Sequence, residues 1–285
     1  MIVDAHQHFW RLDRGDYSWL TPHLGILYRD YGPDDLRPIL AGNDVAWTVL
    51  VQAAASEDET RYLIDLSRRN SFIAGVVGWV DFESSDSLVR IRALVDESEG
   101  RIKGLRPMVQ DISDPAWLAR PTLDKAFDSV IDHSLTFDAL VKPRHLRVLG
   151  ERLKRHPQLR AVLDHAGKPR ISNGEFQPWA DDIAELASNT RLYCKLSGLL
   201  TEAGERRTPE ALAPYVAHLF DCFGPHRVMW GSDWPVLGLS ATYDEWHAMA
   251  CEIVGLHAPE AMQAVFADNA ISFYGLNTGR SGEWP

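Results

Sequence analysis

Apolar residues in this chain gather in short, nearly unbroken runs rather than in an alternating pattern. Eight such runs cover residues 2–6 (IVDAH), 45–52 (VAWTVLVQ), 72–81 (FIAGVVGWVD), 101–108 (RIKGLRPM), 135–141 (LTFDALV), 159–166 (LRAVLDHA), 191–198 (RLYCKLSG) and 227–233 (RVMWGSD). Strands covered by helices on both faces read this way, because neither face meets water. The segments between them carry helical signals. Residues 57–70 follow Ser56, an N-cap with acids in the first turn. Residues 122–133 place Leu123, Phe127, Val130 and Ile131 on one face, and 145–156 end in basic residues before Pro157. Residues 208–224 have Thr208 as cap, Pro209 in the first helical position and Gly224 as the stop.

Eight strands alternating with helices over ~250 residues predict a single-domain (β/α)8 barrel, a TIM barrel. The alternative is an open doubly wound sheet. Its dinucleotide-binding form needs a glycine fingerprint after an early strand, and the sequence has none. No shift in composition marks a second domain. The barrel is expected over residues 1–276, with a loose tail at 277–285. The stretch from 9 to 33 is long for a loop and rich in aromatics (Trp10, Tyr17, Trp19, Tyr28, Tyr31), which predicts packing over the barrel mouth.

Composition narrows the partners. A net charge of −11 argues against nucleic acid or an anionic membrane as the main partner. The 285 residues include 3 scattered cysteines and no apolar stretch near the ~20 residues of a membrane span. The expectation is a cytoplasmic protein with free thiols and a small-molecule substrate.

In a (β/α)8 barrel the reacting groups stand at the C-terminal ends of strands. Those ends carry His6 and His8, Asp81, Arg106 with Gln110 beyond it, Lys142, Arg144 and His145, Asp164-His165, Lys195 and Ser197, and Ser232-Asp233-Trp234. His6 and His8 have the period-2 spacing that puts two imidazoles on one face. Such a pair is half of a divalent metal site, a pair of donors to a carbonyl oxygen, or two structural histidines. Asp233 is a candidate general base or metal ligand, or else a helix cap. His165 is a third imidazole for the same centre, or a loop histidine. Arg106 and Lys195 hold substrate oxygens, or pair with Asp164 or Asp81. Asp164 is expected to face the helices, Asp81 and His145 to be structural, and the remaining seven histidines to be solvated.

Taken together, "DAHQHFW", "LDHAGKP", "YCKLSGL", "RVMWGSDWP" and "FADNAISFYGL" resemble the amidohydrolase superfamily over residues 2–276. Within it, the chain is similar to the sugar-lactone hydrolase branch related to L-fuconolactonase and L-rhamnonolactonase. The resemblance implies a distorted barrel in which His6, His8, His165 and Asp233 occupy the reacting positions. Strand 5, "FDALVKPRH", has no internal histidine. The implied metal content is therefore one divalent ion such as zinc, held by His6, His8 and Asp233, that the reaction does not require.

The expected activity is hydrolysis of an aldonolactone such as L-fucono-1,5-lactone to the aldonic acid. Asp233 takes a proton from water, and His6, His8 and His165 polarise the carbonyl with or without the ion. Trp10, Arg106, Gln110, Lys195 and Trp234 are the expected sugar contacts. Other readings are hydrolysis of a dicarboxylate lactone or a cyclic amide, metal-dependent decarboxylation, and a non-catalytic carbohydrate-binding barrel. The oligomeric state is not read from the sequence.

Overall fold

Each of the eight apolar runs forms a strand. The computed structural model describes residues 1–278, so residues 279–285 of the expected tail lie outside it. The strands are β1 (Ile2–Gln7), β2 (Val45–Val51), β3 (Ile73–Gly78), β4 (Ile102–Leu105), β5 (Thr136–Ala139), β6 (Arg160–Leu163), β7 (Tyr193–Leu196) and β8 (Val228–Trp230). All are parallel and follow chain order across one sheet. The seam between β8 and β1 is closed beyond the end of β8, where Gln7 bridges Trp234. There Asp233 N donates to His6 O and His8 N donates to Trp234 O, each at 2.8 Å. The fold is the expected distorted (β/α)8 barrel.

Around it lie α1 (Pro33–Gly42), α2 (Glu57–Arg69), α3 (Ser87–Ser98), α4 (Asp124–Asp132), α5 (Leu146–Arg155), α6 (Trp179–Asn189), α7 (Leu199–Glu202), α8 (Pro209–Phe223), α9 (Tyr243–His257) and α10 (Asn269–Tyr274). The predicted caps are in place: Ser56 accepts from Glu59 N at the start of α2, and Thr208 from Ala211 N at the start of α8. Among the described residues no helix is long and apolar enough to cross a membrane.

Two apolar clusters follow from the strand alternation. Outward residues such as Leu50, Phe137, Leu163, Leu196 and Trp230 pack under the helices. Val3, Ala5, Val49, Val51, Val77, Val162 and Met229 form the inner cluster with Phe273 and Tyr274 of α10. Glycine is required at Gly104, where a Cβ would come within 2.1 Å of Thr136 Oγ1.

The β1–β2 register shifts between Asp4 and Gln7. Asp4 lies on the helix side, where it accepts from Tyr243 OH of α9 at 3.0 Å. His6, two residues on, meets Lys195 and Arg106 inside the barrel. The irregularity therefore breaks the period-2 rule between residues 4 and 6, while the rule holds between 6 and 8.

The segment 9–33 folds over the mouth as two short 3-10 turns, Leu12–Arg14 and Pro22–Leu27. His156, expected to be solvated, is instead buried against the Phe127 ring, 5.7 Å between centroids. Its position at the end of α5, turned toward α4, explains the difference.

Candidate active site

The C-terminal strand ends surround a cavity of about 280 Å³. It is lined by His8, Trp19, Ala53, Arg106, Met108, Gln110, Asp111, Leu140, His165, Lys168, Asp233 and Val236. It lies at the small end of ordinary ligand sites.

At its floor three imidazoles converge on one carboxylate. Asp233 Oδ1 lies 3.2 Å from His8 Nε2, 3.7 Å from His6 Nε2 and 3.9 Å from His165 Nε2. The two strand-1 rings meet with their Nε2 atoms 3.1 Å apart. Each outer nitrogen is engaged elsewhere. His8 Nδ1 donates to Val51 O at 2.8 Å, His165 Nδ1 meets Ser197 Oγ at 2.8 Å, and His6 Nδ1 meets Lys195 Nζ at 3.1 Å. These outer contacts aim the inner nitrogens at Asp233.

Local backbone builds this arrangement. His165, Ala166 and Lys168 all have φ between 53° and 56°, and Gly167 continues the left-handed turn at 70°. Asp233 is left-handed too, at 60°. Non-glycine residues hold this conformation only where their surroundings impose it, and such positions cluster at functional sites. Gly198 allows the close packing of His165, since a Cβ there would sit 2.6 Å from its Cγ. Beyond β8, Asp4 accepts from Ser232 N at 2.8 Å and Ser232 Oγ at 2.6 Å, fixing the turn that presents Asp233.

Burial alone would push the Asp233 carboxyl up, but the surrounding His165, His8 and His6 outweigh it and hold it well below the ordinary carboxylate range. Burial pushes His165 down to about 4 and His6 well below its ordinary value. At neutral pH the centre therefore holds an ionised carboxylate beside the neutral rings of His6 and His165.

This charge pattern suits a divalent cation. His8 Nδ1 is held by Val51 O at 2.8 Å, which turns Nε2 toward Asp233 Oδ1 at 3.2 Å. One ligand atom each from His6, His165 and Asp233 lies within 4.8 Å of the others. Imidazole nitrogens with a carboxylate oxygen fit one such ion. Beside the expected His6, His8 and Asp233, the structure thus adds His165 as a candidate ligand.

The other expected residues divide. Arg106 and Gln110 line the cavity as expected. Arg106 is nevertheless largely committed: Nη1 donates to Asp164 Oδ2 at 3.1 Å and Nη2 to Gln52 O. Lys195 is fully buried and is not part of this cavity's lining. It sits between Asp138 Oδ2 (2.6 Å) and Asp164 Oδ1 (3.0 Å). Trp10 is also fully buried, its Nε1 donating to Arg29 O, and Trp234 packs on Phe9 and Tyr31 outside the cavity. Neither indole reaches the mouth. The loop folds back so that Trp19, 37% exposed and tied to Ala53 O at 2.7 Å, takes that place.

Asp164 does not face the helices. Its strand ends at Leu163, and the left-handed turn that follows swings it inward to Lys195 and Arg106. There the attraction of Lys195, His6 and Arg106 overcomes burial and holds its carboxyl well below the ordinary range. His145 is structural as expected, its ring nitrogens lying against Lys142 N and Arg144 Nε, and Asp81 caps its loop by accepting from Glu83 N. Asp4, Asp138, Lys168 and Trp19 were not singled out as site residues from the sequence. Asp138 had a signal: a carboxylate inside one apolar run and a lysine inside another have each other as natural partners.

The profile of the family described as Amidohydrolase matches residues 3–276. A curated L-fucono-1,5-lactonase from Burkholderia ambifaria is 42% identical over 281 residues, 96% of each chain. A second, from Burkholderia multivorans, is 36% identical over 255 residues, 85% of each chain. A crystal structure of a zinc-bound amidohydrolase from Burkholderia multivorans superposes with a TM-score of 0.89 at 34% identity, covering 97% of this chain and all of that one.

Proposed function

This chain belongs to the amidohydrolase family, and on that premise we propose that it hydrolyses a sugar lactone to the aldonic acid, with L-fucono-1,5-lactone as substrate. The observation that carries the reading is the convergence of His6, His8 and His165 on the ionised Asp233 at the floor of a small cavity. The kinship to the two Burkholderia lactonases supports the choice of sugar. So does the cavity wall. Arg106 is spent on Asp164 and Gln52, so the lining does not offer the free guanidinium cluster that a dicarboxylate lactone would call for.

In this reading Asp233 Oδ1 takes the proton of an attacking water, and the hydroxide adds to the lactone carbonyl carbon. His8 and His165, which line the cavity, act with the oxyanion side of the centre, and His6 supports them from beneath. The C–O bond of the ring then breaks, and Asp233 returns its proton to the leaving ring oxygen. A lactone is an activated ester, so its carbonyl needs less polarisation than an amide's. His6, His8, His165 and Asp233 would hold one zinc ion, which when bound supplies Lewis-acid polarisation of oxygen. We infer that the ion is dispensable. Trp19, Gln110 and Lys168 are the sugar contacts in this proposal, with Arg106 contributing its remaining edge. The three cysteines are free, which supports a reducing, cytoplasmic setting.

The test is proton release over a panel of aldonolactones, with and without a chelator. Turnover of L-fucono-1,5-lactone ahead of the others is expected. A panel without any turnover overturns the assignment, and complete loss on chelation overturns the dispensable ion.

A further inference from the structure

One buried carboxyl group stands outside the hydrolytic centre and makes its bonds outside its own helix. Glu59 lies in the first turn of α2 and is fully buried. Ser56 and Glu59 have the spacing of a capping box, in which the glutamate returns to the backbone N–H of the cap residue. Half of that box is present, since Ser56 Oγ accepts from Glu59 N at 3.1 Å. The other half is not, because Ser56 N donates to Ala54 O at 2.9 Å. Glu59 reaches further back along the chain instead. Its Oε1 accepts from Ala53 N at 2.9 Å and its Oε2 from Ala54 N at 3.1 Å.

These two N–H groups belong to consecutive peptide units, and each unit has its carbonyl on the opposite side. The carbonyl of the unit joining Gln52 to Ala53 accepts from Arg106 Nη2. The carbonyl of the unit joining Ala53 to Ala54 accepts from Trp19 Nε1 at 2.7 Å. Arg106 and Trp19 both line the cavity. The Gln52 side chain ties the first unit to Arg106 a second time, with Nε2 donating to Arg106 O at 2.6 Å.

We propose that Glu59 is a positioning residue, which grips these two peptide units by their N–H groups so that their carbonyls hold Arg106 and Trp19 at the substrate cavity. The inference rests on the reading of that cavity as the lactone site. A peptide unit is planar, so fixing the direction of its N–H fixes the direction of its C=O. Without Glu59, both N–H groups are buried without a partner, because Ala53 and Ala54 are themselves buried. The two units then turn toward water, and their carbonyls turn with them. Arg106 keeps a second anchor in Asp164 Oδ2. Trp19 stands on the long loop over the mouth and depends on Ala53 O, so it is the side chain released first. A role confined to capping α2 would change stability and leave both cavity side chains in place.

The test reads Trp19 directly and binding separately. Indole proton–nitrogen-15 spectra report the bond to Ala53 O, with the Trp19 signal identified by its loss in Trp19→Phe. In Glu59→Ala the Trp19 signal is expected to move toward that of a free indole, and its hydrogen to exchange about tenfold faster. KM for L-fucono-1,5-lactone should rise about tenfold with kcat nearly intact. Adding Glu59→Ala to Trp19→Ala should raise KM by less than it does in the unaltered chain, because the two act through one contact. Glu59→Gln keeps the shape and one acceptor oxygen, so it should fall between; it serves also if Glu59→Ala does not fold. Thr60→Val is the structural control. It removes bonds to Ser56 O and Trp79 N in the same turn of α2 and touches neither peptide unit. It should lower the melting temperature and leave the Trp19 signal and KM unchanged. A Trp19 signal that ignores both Glu59 variants, or moves as far in Thr60→Val, overturns the proposal. A signal that responds in a chain turning over no lactone supports the grip on Trp19 and counts against the lactonase alone.

Discussion

His8 Nε2 and Asp233 Oδ1 lie 3.2 Å apart, although 225 residues separate them in sequence. The contact spans the barrel seam, where the first and last strands meet. With Asp233 as the base, Asp233→Asn keeps the shape but supplies no basic oxygen. Lactone turnover should fall by about 10³ while binding persists. Kinetics with a product-binding measurement checks both, and a fully active variant would place the base elsewhere.

Trp19 and Trp10 offer a direct contrast. Trp19 lines the cavity, whereas Trp10 is a buried support of the loop. Trp19→Ala should raise KM about tenfold with kcat nearly intact, the order expected for losing one aromatic face. Trp10→Phe should lower the melting temperature and leave KM unchanged. The reverse pattern would restore Trp10 as the sugar wall.

Gly198 tests the packing of His165. Its φ is 64°, and a Cβ would sit 2.6 Å from the His165 ring. Gly198→Ala therefore displaces that ring and strains the backbone by about 1–2 kcal/mol. The expected outcome is a kcat reduced about a hundredfold, with a stability loss of only that size. An unchanged kcat would remove His165 from the centre.

Glu59 makes a pH prediction. Its carboxylate is buried behind the mouth and accepts from Ala53 N and Ala54 N, yet burial pushes it up to about 8 from an ordinary 4.5. A raised acid binds its proton more tightly in the folded chain. Its contribution to stability is complete below about pH 4.5 and is lost as pH rises through about 8. Glu59→Gln cannot ionise, so its stability relative to the unaltered chain should rise steadily across that window. Comparing the two by denaturant midpoints isolates Glu59 from His165 and His145, both pushed down to about 4 by burial, which lose stability in the opposite direction as pH falls. A constant difference would show that Glu59 ionises normally.

The sequence by itself determined a parallel sheet wrapped in helices, with eight strands pointing to a barrel, and the tertiary contacts between residues 6–8 and 233–234 closed it. Eight apolar runs can be buried on both faces only by a sheet wrapped in helices, and the caps at Ser56 and Thr208 bound two of those helices. It also pointed to His6, His8, His165 and Asp233 as neighbours at one end of the barrel, because strand ends are where the architecture exposes polar groups and period-2 spacing puts residues 6 and 8 together. Tertiary structure alone decided what lies behind them. Asp164 turns inward because a left-handed turn follows β6, and no local propensity announces four such residues in a row. For Lys195 the sequence left a sugar contact and an ion pair with Asp164 or Asp81 both open, and Asp138 and Asp164 from other strands make it cheaper to bury than to expose. Trp19 replaced Trp10 at the mouth because the path of a long loop is set by what it packs on, not by the order of its aromatics.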